Sequence, residues 1–369
     1  MGNKISAIVF IIFIGIFAVG SWIVPDRTFS DMENRNLAQM PELTLGTFLD
    51  GTFSENFETY MADQMMGKDA FVTLKVDTVK ATGQKLMNGV FFGQDGYLIQ
   101  KYDKPGEQLT KNLDYVKKFS EDCGLPVTFL MVPNASEIYA DKLPALTECY
   151  SQKAVISQMQ QSLSDSVTFV DATETLMAHK EESIYFKTDH HWTMLGAYYG
   201  YEALCKSLGL EPKSLSEYSE TVGSMEFYGS LYSKAPSVKQ VADSLTIYEN
   251  ASGSYEVTYV QKNQTSDSVF ARENLEIKDK YTVFLNGNHP LVTVKSNAEN
   301  QEKVLVIKDS YAHALLPFLA DTYADMHIVD LRYFHEDMQG YIAEHGFDRV
   351  IFIHNVDFIS TDQNFLWLD

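Results

Sequence analysis

The hydrophobic pattern opens with one uncharged run, "ISAIVFIIFIGIFAVGSWIV", from Ile5 to Val24. About 20 residues of this kind suffice to cross the hydrocarbon core of a bilayer as a helix. The apolar cores of secretory leaders are shorter, about 7–15 residues. From Thr28 to about Leu86 the chain is polar, with apolar residues at helix-like steps in "SENFETYMADQMMGKDAFVTLKVDTVKATGQKLM". "GVFFGQDGYLIQ", Gly89 to Gln100, predicts a short hairpin turning at "QDG".

Strand and helix patterns then alternate. "LPVTFLMV" (Leu125 to Val132) is a continuous apolar run, as a buried parallel strand requires. A helix is predicted around Lys153 to Ser162, a strand at Val167 to Asp171, and another helix after it. Past Trp192, residues Met194, Ala197, Tyr198, Tyr201, Leu204, Cys205 and Leu208 fall at three- and four-residue steps. Thr193 is placed to cap that helix and Gly209 to end it. Between Leu215 and Asn300 the composition shifts to Ser, Thr, Tyr and Val, and "GSYEVTYVQ" and "KYTVFLNGNHPLVTVKS" alternate like strands. This predicts a β-rich insertion. Alternation resumes with the strand "KVLVIKDS", a helix in "YAHALLPFLADTY" that Pro317 ends or kinks, the strand "MHIVDL", the helix "EDMQGYIAEHG" and the strand "DRVIFIHN". The expected fold is α/β, a parallel sheet covered by helices on both faces, with sites at the carboxyl ends of its strands.

Charge narrows the functional classes. The 50 acidic and 29 basic side chains leave a net charge of −21, which disfavours nucleic acid and anionic lipid as broad electrostatic partners. Cys123, Cys149 and Cys205 form no disulfide framework, and no pair has zinc-ligand spacing, although a Cys123–Cys149 bridge stays open. Lys4 and the terminal amine favour a cytoplasmic amino end, so the apolar run reads as a signal anchor with the rest of the chain outside. The alternative is cleavage after "AVG" (Ala18 to Gly20) and release of the remainder.

Three loci carry candidate chemistry. In "KTDHHW", Asp189 and His191 share a face if the segment is extended, and His190 points away. A carboxylate so placed fixes the tautomer of an imidazole. The bland alternative is an aspartate capping the next helix, and a metal site using Asp189 and His191 also stays open. In "VLVIKDSYAHAL", Ser310 falls where a strand runs into a helix, near free backbone N–H groups that can stabilise an oxyanion. A helix-capping serine would look the same. In "FLNGNHPLV", Gly287 permits close backbone approach and the Asn288 amide can donate to an oxyanion, but Asn-Gly is also an ordinary turn. Together the loci weigh more, because a serine nucleophile needs a base and the base an orienting acid.

"TDHHW" resembles the signature of the DHHW family, bacterial extracytoplasmic proteins of the SGNH-hydrolase-like kind that are similar to alginate-type polysaccharide O-acetyltransferases. "ENRNLAQMPEL", "VFFGQDGYL", "VPNASEIYADKLP", "FLNGNHPLV" and "KDSYAHALLPFLADTY" look like family segments in the same order, so the resemblance spans roughly Asp31 to Phe358. It implies Ser310 as nucleophile, His191 as general base and acid, and Asp189 as orienting acid. It leaves Asn288, Gly287, Tyr311 and Trp192 for oxyanion or substrate contacts, with Trp192 packing under the histidine. The order differs from ordinary SGNH hydrolases, where the serine comes first and the acid and base are spaced Asp-x-x-His. Lys308 stands where many relatives have glycine.

The reading that follows is an SGNH-hydrolase-like parallel sheet flanked by helices, with a β-rich insertion (215–300) and an N-terminal transmembrane helix. Residues 1–27 form the anchor, 28–86 a membrane-proximal helical segment, and 87–369 the catalytic domain. The implied activity is extracytoplasmic transfer of acetyl through an acyl-serine to a polysaccharide hydroxyl, without cofactor or metal. The implied partner is a membrane-bound O-acyltransferase that brings acetyl across the membrane. Alternatives are a carbohydrate esterase with the same triad, or a non-catalytic polysaccharide-binding or assembly protein.

Overall fold

The computed structural model describes residues 2–369. Its centre is an eight-stranded sheet in the order Gln264–Ser266, Tyr255–Tyr259, Leu291–Ser296, Tyr323–Val329, Asn300–Lys308, Arg349–Asn355, Val127–Val132, Thr168–Asp171. The last five of these run parallel. The first three join antiparallel on one side. Strand residues alternate between two buried faces. Leu130, Val304, Val306, Met326 and Ile351 point to one core. Phe129, Met131, Leu305, Ile307 and Phe352 point to the other. Burial on both faces is why these strands read as unbroken apolar runs.

The helix Met194–Leu208 packs on the first face. The helices Glu107–Asp122, Gln152–Leu163 and Met338–His345 cover the second. The caps follow the sequence. Thr193 accepts from the Gly196 N–H, and Gly209 closes the helix in the left-handed region at φ 69°. Asp337 caps the helix Met338–His345 through the Gly340 N–H.

Some local expectations change. Pro317 does not end a helix; it lies in the first turn of the helix Leu316–Ala320, where its missing N–H costs nothing. "KYTV" is a 3-10 turn, Lys280–Val283, rather than a strand, and it buries Tyr281 and Val283 inward. Residues 215–300 split their strands. Tyr255–Tyr259, Gln264–Ser266 and Leu291–Ser296 extend the central sheet, while Ser219–Phe227 and Asp243–Glu249 pair as a separate ribbon. All three cysteines are free thiols.

The chain divides into two compact units. One comprises Gly89–Leu231 and Val241–Asp369, and the other the residues up to Asn88 together with Tyr232–Gln240. The second unit carries the helices Gly2–Ile23, Leu45–Leu49, Thr52–Asp63 and Lys68–Ala81. Within it "ENRN" has a structural role. Arg35 grips the buried Asp63 carboxylate through both Nη atoms, at 2.8 and 2.6 Å. Lys68 Nζ and the Ala38 N–H also donate to it. The Arg35 bonds, then the N–H and Lys68, hold Asp63 well below the usual carboxylate range despite burial. Among the described residues one helix, Lys4–Ile23 with mean hydropathy 2.5, is long and apolar enough to cross a membrane.

Gly196 sets how closely the helix Met194–Leu208 approaches the chain before it. A Cβ there would sit 2.2 Å from the Ile184 carbonyl oxygen, a backbone atom that cannot swing away. Gly196→Ala is expected to cost about 1–3 kcal/mol, read as a lowered chemical-denaturation midpoint.

Candidate active site

The sharpest arrangement lies where the carboxyl ends of the parallel strands meet the loop Lys187–Trp192. Asn300–Lys308 delivers Asp309 and Ser310, and Ser310 opens the 3-10 turn Ser310–Ala314. His191 Nε2 lies 2.8 Å from Ser310 Oγ, and His191 Nδ1 lies 2.6 Å from Asp189 Oδ1. With Asp189 ionised, Nδ1–H donates to the carboxylate and Nε2 accepts from the serine hydroxyl. Ser310 is half-buried, while Asp189 and His191 are buried.

The two residues meet by a route different from an extended strand. Residues 187–191 form a bend closed by a Tyr185–Trp192 bridge. The same Asp189 Oδ1 accepts the backbone N–H of His191 at 2.9 Å and its ring N–H. His190 does not point away. Its ring centroid is 3.8 Å from that of His191, and its Nδ1 lies 2.6 Å from Ser230 Oγ. The side chains of Asp189, His190 and His191 present ligand-type atoms within 4.8 Å of one another.

Residues the sequence did not single out hold this bend. Asp243, from the separate ribbon, accepts from the backbone N–H groups of Lys187 and Thr188 and from the Thr188 hydroxyl. Thr188 Oγ1 in turn accepts from the Gly229 N–H. The Ser230 N–H donates to Asp189 Oδ2 at 2.6 Å. Burial pushes Asp189 up, but the charges of His191 and His190 and the hydrogen bonds from His191 and Ser230 outweigh it. The carboxyl ends well below its usual range.

The ring lying flat on His191 is Tyr281, with centroids 3.9 Å apart and an 8° tilt. Its hydroxyl donates to the carbonyls of Ser310 and Tyr311 at 3.1 and 3.3 Å. Trp192, expected in that place, is instead fully buried against the helix Met194–Leu208. A Cβ on Gly200 would come within 2.6 Å of its ring. Its Nε1 donates to the Tyr311 carbonyl at 2.8 Å. Tyr311 is buried too, and its hydroxyl donates to the His190 carbonyl. Its groups are spent on holding the loop. Asn288 is exposed, and its Oδ1 accepts from Arg332. Gly287 is buried at φ 76°, after Leu285 and Asn286, which are also left-handed.

Beneath Ser310 lies a buried polar cluster. Lys308 Nζ donates to Asp330 Oδ2 and to His313 Nε2, each at 2.8 Å, and Arg332 chelates Asp330. Burial lowers the Lys308 pKa against the pull of Asp330. Burial, then Lys308, holds His313 neutral. Asp309 accepts the backbone N–H groups of Tyr311 and Asn355 at 2.8 and 2.7 Å. Burial outweighs both and raises its pKa from 3.8 to about 6.

Two outcomes follow. A Cβ on Gly229 would lie 2.3 Å from the Cβ and Oδ2 of Asp189. Gly229→Ala is therefore expected to lower the reactivity of Ser310 about 10²-fold, read as the rate of acylation by an activated ester. Asp309 is protonated more readily folded than unfolded, so its share of stability is present at low pH and falls as pH rises from about 4 to about 6. The melting-temperature difference between Asp309→Asn and the parent is expected to shift in the variant's favour across that window. A difference independent of pH would contradict the raised value.

The comparisons agree with this architecture. The profile of the family described as DHHW protein matches residues 109–329. A DHHW family protein from Eubacterium siraeum, of known crystal structure, is 27% identical. It superposes with a TM-score of 0.67, covering 77% of this chain and 95% of that one. Bacillus cereus PatB1 superposes with a TM-score of 0.64 at 21% identity, covering 74% and 97%. No curated protein matches the chain. The fold class is the SGNH-hydrolase-like one, a large sheet flanked by helices. With the Asp-His-His-Trp stretch at the centre of the site and the profile covering more than half its length, the chain belongs to the DHHW family.

Proposed function

We propose that the protein is an extracytoplasmic O-acetyltransferase that passes acetyl through Ser310 to hydroxyl groups of a cell-surface or exported polysaccharide. The observation that carries the reading is the unbroken hydrogen-bond line from Asp189 through His191 to Ser310. A serine hydroxyl becomes a nucleophile when a base takes its proton, and the base works best when an acid fixes its tautomer.

In the first half-reaction, Ser310 Oγ bonds to the acetyl carbonyl carbon as its proton passes to His191 Nε2. The donor's leaving group departs with that proton. In the second, a sugar hydroxyl gives its proton to Nε2 and bonds to the acetyl carbon, and Ser310 leaves with the proton returned. Asp189 stays ionised throughout and offsets the imidazolium charge. The Ser310 backbone N–H is the oxyanion donor in this reading. Asn288 is a weaker choice, because it is exposed and its side chain is held towards Arg332. A membrane-bound O-acyltransferase is the donor partner implied.

Localisation belongs to the same proposal. The helix Gly2–Ile23 anchors the protein, and the remainder lies outside the cytoplasm. The helix end supports an anchor that is kept. Gly20 lies against Met66, where a Cβ would be 2.6 Å from its sulfur, and Ser21 Oγ accepts from the Met66 N–H. Cleavage after Gly20 would cut through this packing. PatB1, whose structure has also been solved with a sulfonyl adduct, supports the comparison at the level of fold.

The test is intact mass of the full chain in detergent after exposure to an activated acetyl ester, followed by polysaccharide fragments. The parent is expected to gain one acetyl and lose it to sugar. Ser310→Ala is expected to gain none at that position. His191→Ala and Asp189→Asn are expected to acylate about 10²–10⁴-fold more slowly. Loss of the adduct to water alone would make the protein an esterase. Retention of polysaccharide binding by Ser310→Ala, with no adduct in the parent, would favour a binding or assembly role. Activity lost to a chelator would favour a metal at Asp189, His190 and His191.

A further inference from the structure

We infer that the segment Met40–Leu49, together with the side chains of Met66 and Phe71, is embedded in the outer boundary of the bilayer, so that an apolar foot holds the protein beside its spanning helix. The inference rests on the reading that the helix Lys4–Ile23 crosses the membrane.

Depth is the first argument. The run Ile5–Val24 is about 30 Å long at about 1.5 Å per residue, the full thickness of the hydrocarbon core. It has no surplus length to lift its outer end into water. Yet one side of its outer end already packs on protein, while Trp22 and Ile23 stay exposed. The Phe17 ring meets Phe71 at 5.1 Å, Gly20 abuts Met66, and Ser21 accepts from the Met66 N–H. Phe17 lies about 10 Å inside the end of the apolar run, counted at about 1.5 Å per residue. The side chains of Met66 and Phe71 are therefore as deep as the apolar faces of interfacial helices, about 5–10 Å.

Exposure is the second argument. A cleft of about 460 Å³ is lined by Trp22, Ile23, Val24, Met40, Phe57 and Met61, which places Met40 beside the helix end. From Met40 the chain presents Leu43 (62% exposed), Leu45 (76%), Phe48 (62%) and Leu49 (75%) to its surroundings. The last three share one face of the short helix Leu45–Leu49. Thr44 and Thr47 hold that helix with a reciprocal capping box, so the face is fixed rather than frayed. An apolar patch this concentrated, continuous with the end of a spanning helix, fits acyl chains.

Charge supplies the third. Glu42 and Asp50 flank the exposed residues along the chain, while Lys68 and Asp69, next to Met66, are neutralised by Asp63 with Glu33 and by Arg27. Anionic headgroups would repel it, so apolar area drives the contact, which should not depend on anionic lipid or salt.

The test uses the full chain carrying Trp22→Phe and Phe48→Trp, reconstituted in phosphatidylcholine vesicles with and without phosphatidylglycerol, against Trp22→Phe alone. Near-ultraviolet circular dichroism confirms an unchanged fold. The emission contributed by the Phe48→Trp probe is expected to fall about twofold or more with lipids brominated high on the acyl chain. It should resist aqueous iodide and ignore salt and lipid charge. Iodide quenching without bromolipid quenching would overturn the foot. Protection from both quenchers would also overturn it, by showing that a protein, a second copy included, covers the face. Alkaline carbonate separates the two readings. Release of the chain from membranes refutes the spanning helix, whereas a retained chain with a water-quenched probe refutes the foot alone.

Discussion

The site depends on one buried carboxylate. Asp189 lies out of water, where an unmatched charge would be costly, and its two oxygens are matched by the backbone and ring N–H groups of His191 and the backbone N–H of Ser230. The donors constrain two different stretches of chain. The His191 bonds force the loop into a bend. The Ser230 bond brings Gly229 so close that no side chain fits. Asp243 then fixes the loop from below by taking three donors of Lys187 and Thr188. The stretch 215–300 thus supplies the supports that aim His191 at Ser310: Gly229, Ser230, Asp243 and Tyr281.

The other half of the site is anchored in the sheet. Asn355 ends the neighbouring parallel strand, its backbone N–H holds Asp309, and its side chain donates to the Val132 carbonyl of the next strand. Three strand ends are tied together at the point where Ser310 emerges. Lys308 is accommodated because its long side chain reaches Asp330, which Arg332 also chelates, and a neutral His313. Removing one partner would leave a buried charge unmatched, which explains why a lysine can occupy so closed a position.

Much of this was legible in the sequence, for identifiable reasons. Buried parallel strands such as "LPVTFLMV" and "DRVIFIHN" show as unbroken apolar runs, and the caps Thr193 and Gly209 follow from side-chain chemistry that acts locally. Ser310, His191 and Asp189 could be picked out because strand ends and paired residue types carry a local signal, and the family resemblance joined them. What escaped was set by contacts distant in sequence. The Asp189–His191 pairing looked like alternation along a strand but arises from a bend. Tyr281 sat in a pattern that read as strand, whereas the 3-10 turn buries it and Val283 and lays its ring on His191. Gly229 and Asp243 act through chain about 40 to 55 residues away, a separation no local pattern encodes.

Tyr281 bears on how the proposed chemistry is divided. Its face lies against His191 when the ring is neutral and remains there when it becomes an imidazolium, adding about 0.5–2 kcal/mol of attraction to the charge that Asp189 already offsets. Burial keeps its phenol protonated, so it continues to donate to the carbonyls of Ser310 and Tyr311 throughout a turnover. One face of the imidazole is closed by this ring, and His190 and Tyr311 crowd the others, at 3.8 and 5.1 Å. In the proposed chemistry the proton would pass at Nε2, the ring nitrogen that meets Ser310, since Nδ1 is held by Asp189. In that proposal any acceptor, water or sugar, would come to that edge, and the relay would serve both alike. Under the proposed mechanism, the choice between transferase and esterase would turn on how long an acyl-serine survives before a sugar hydroxyl, rather than water, reaches that edge.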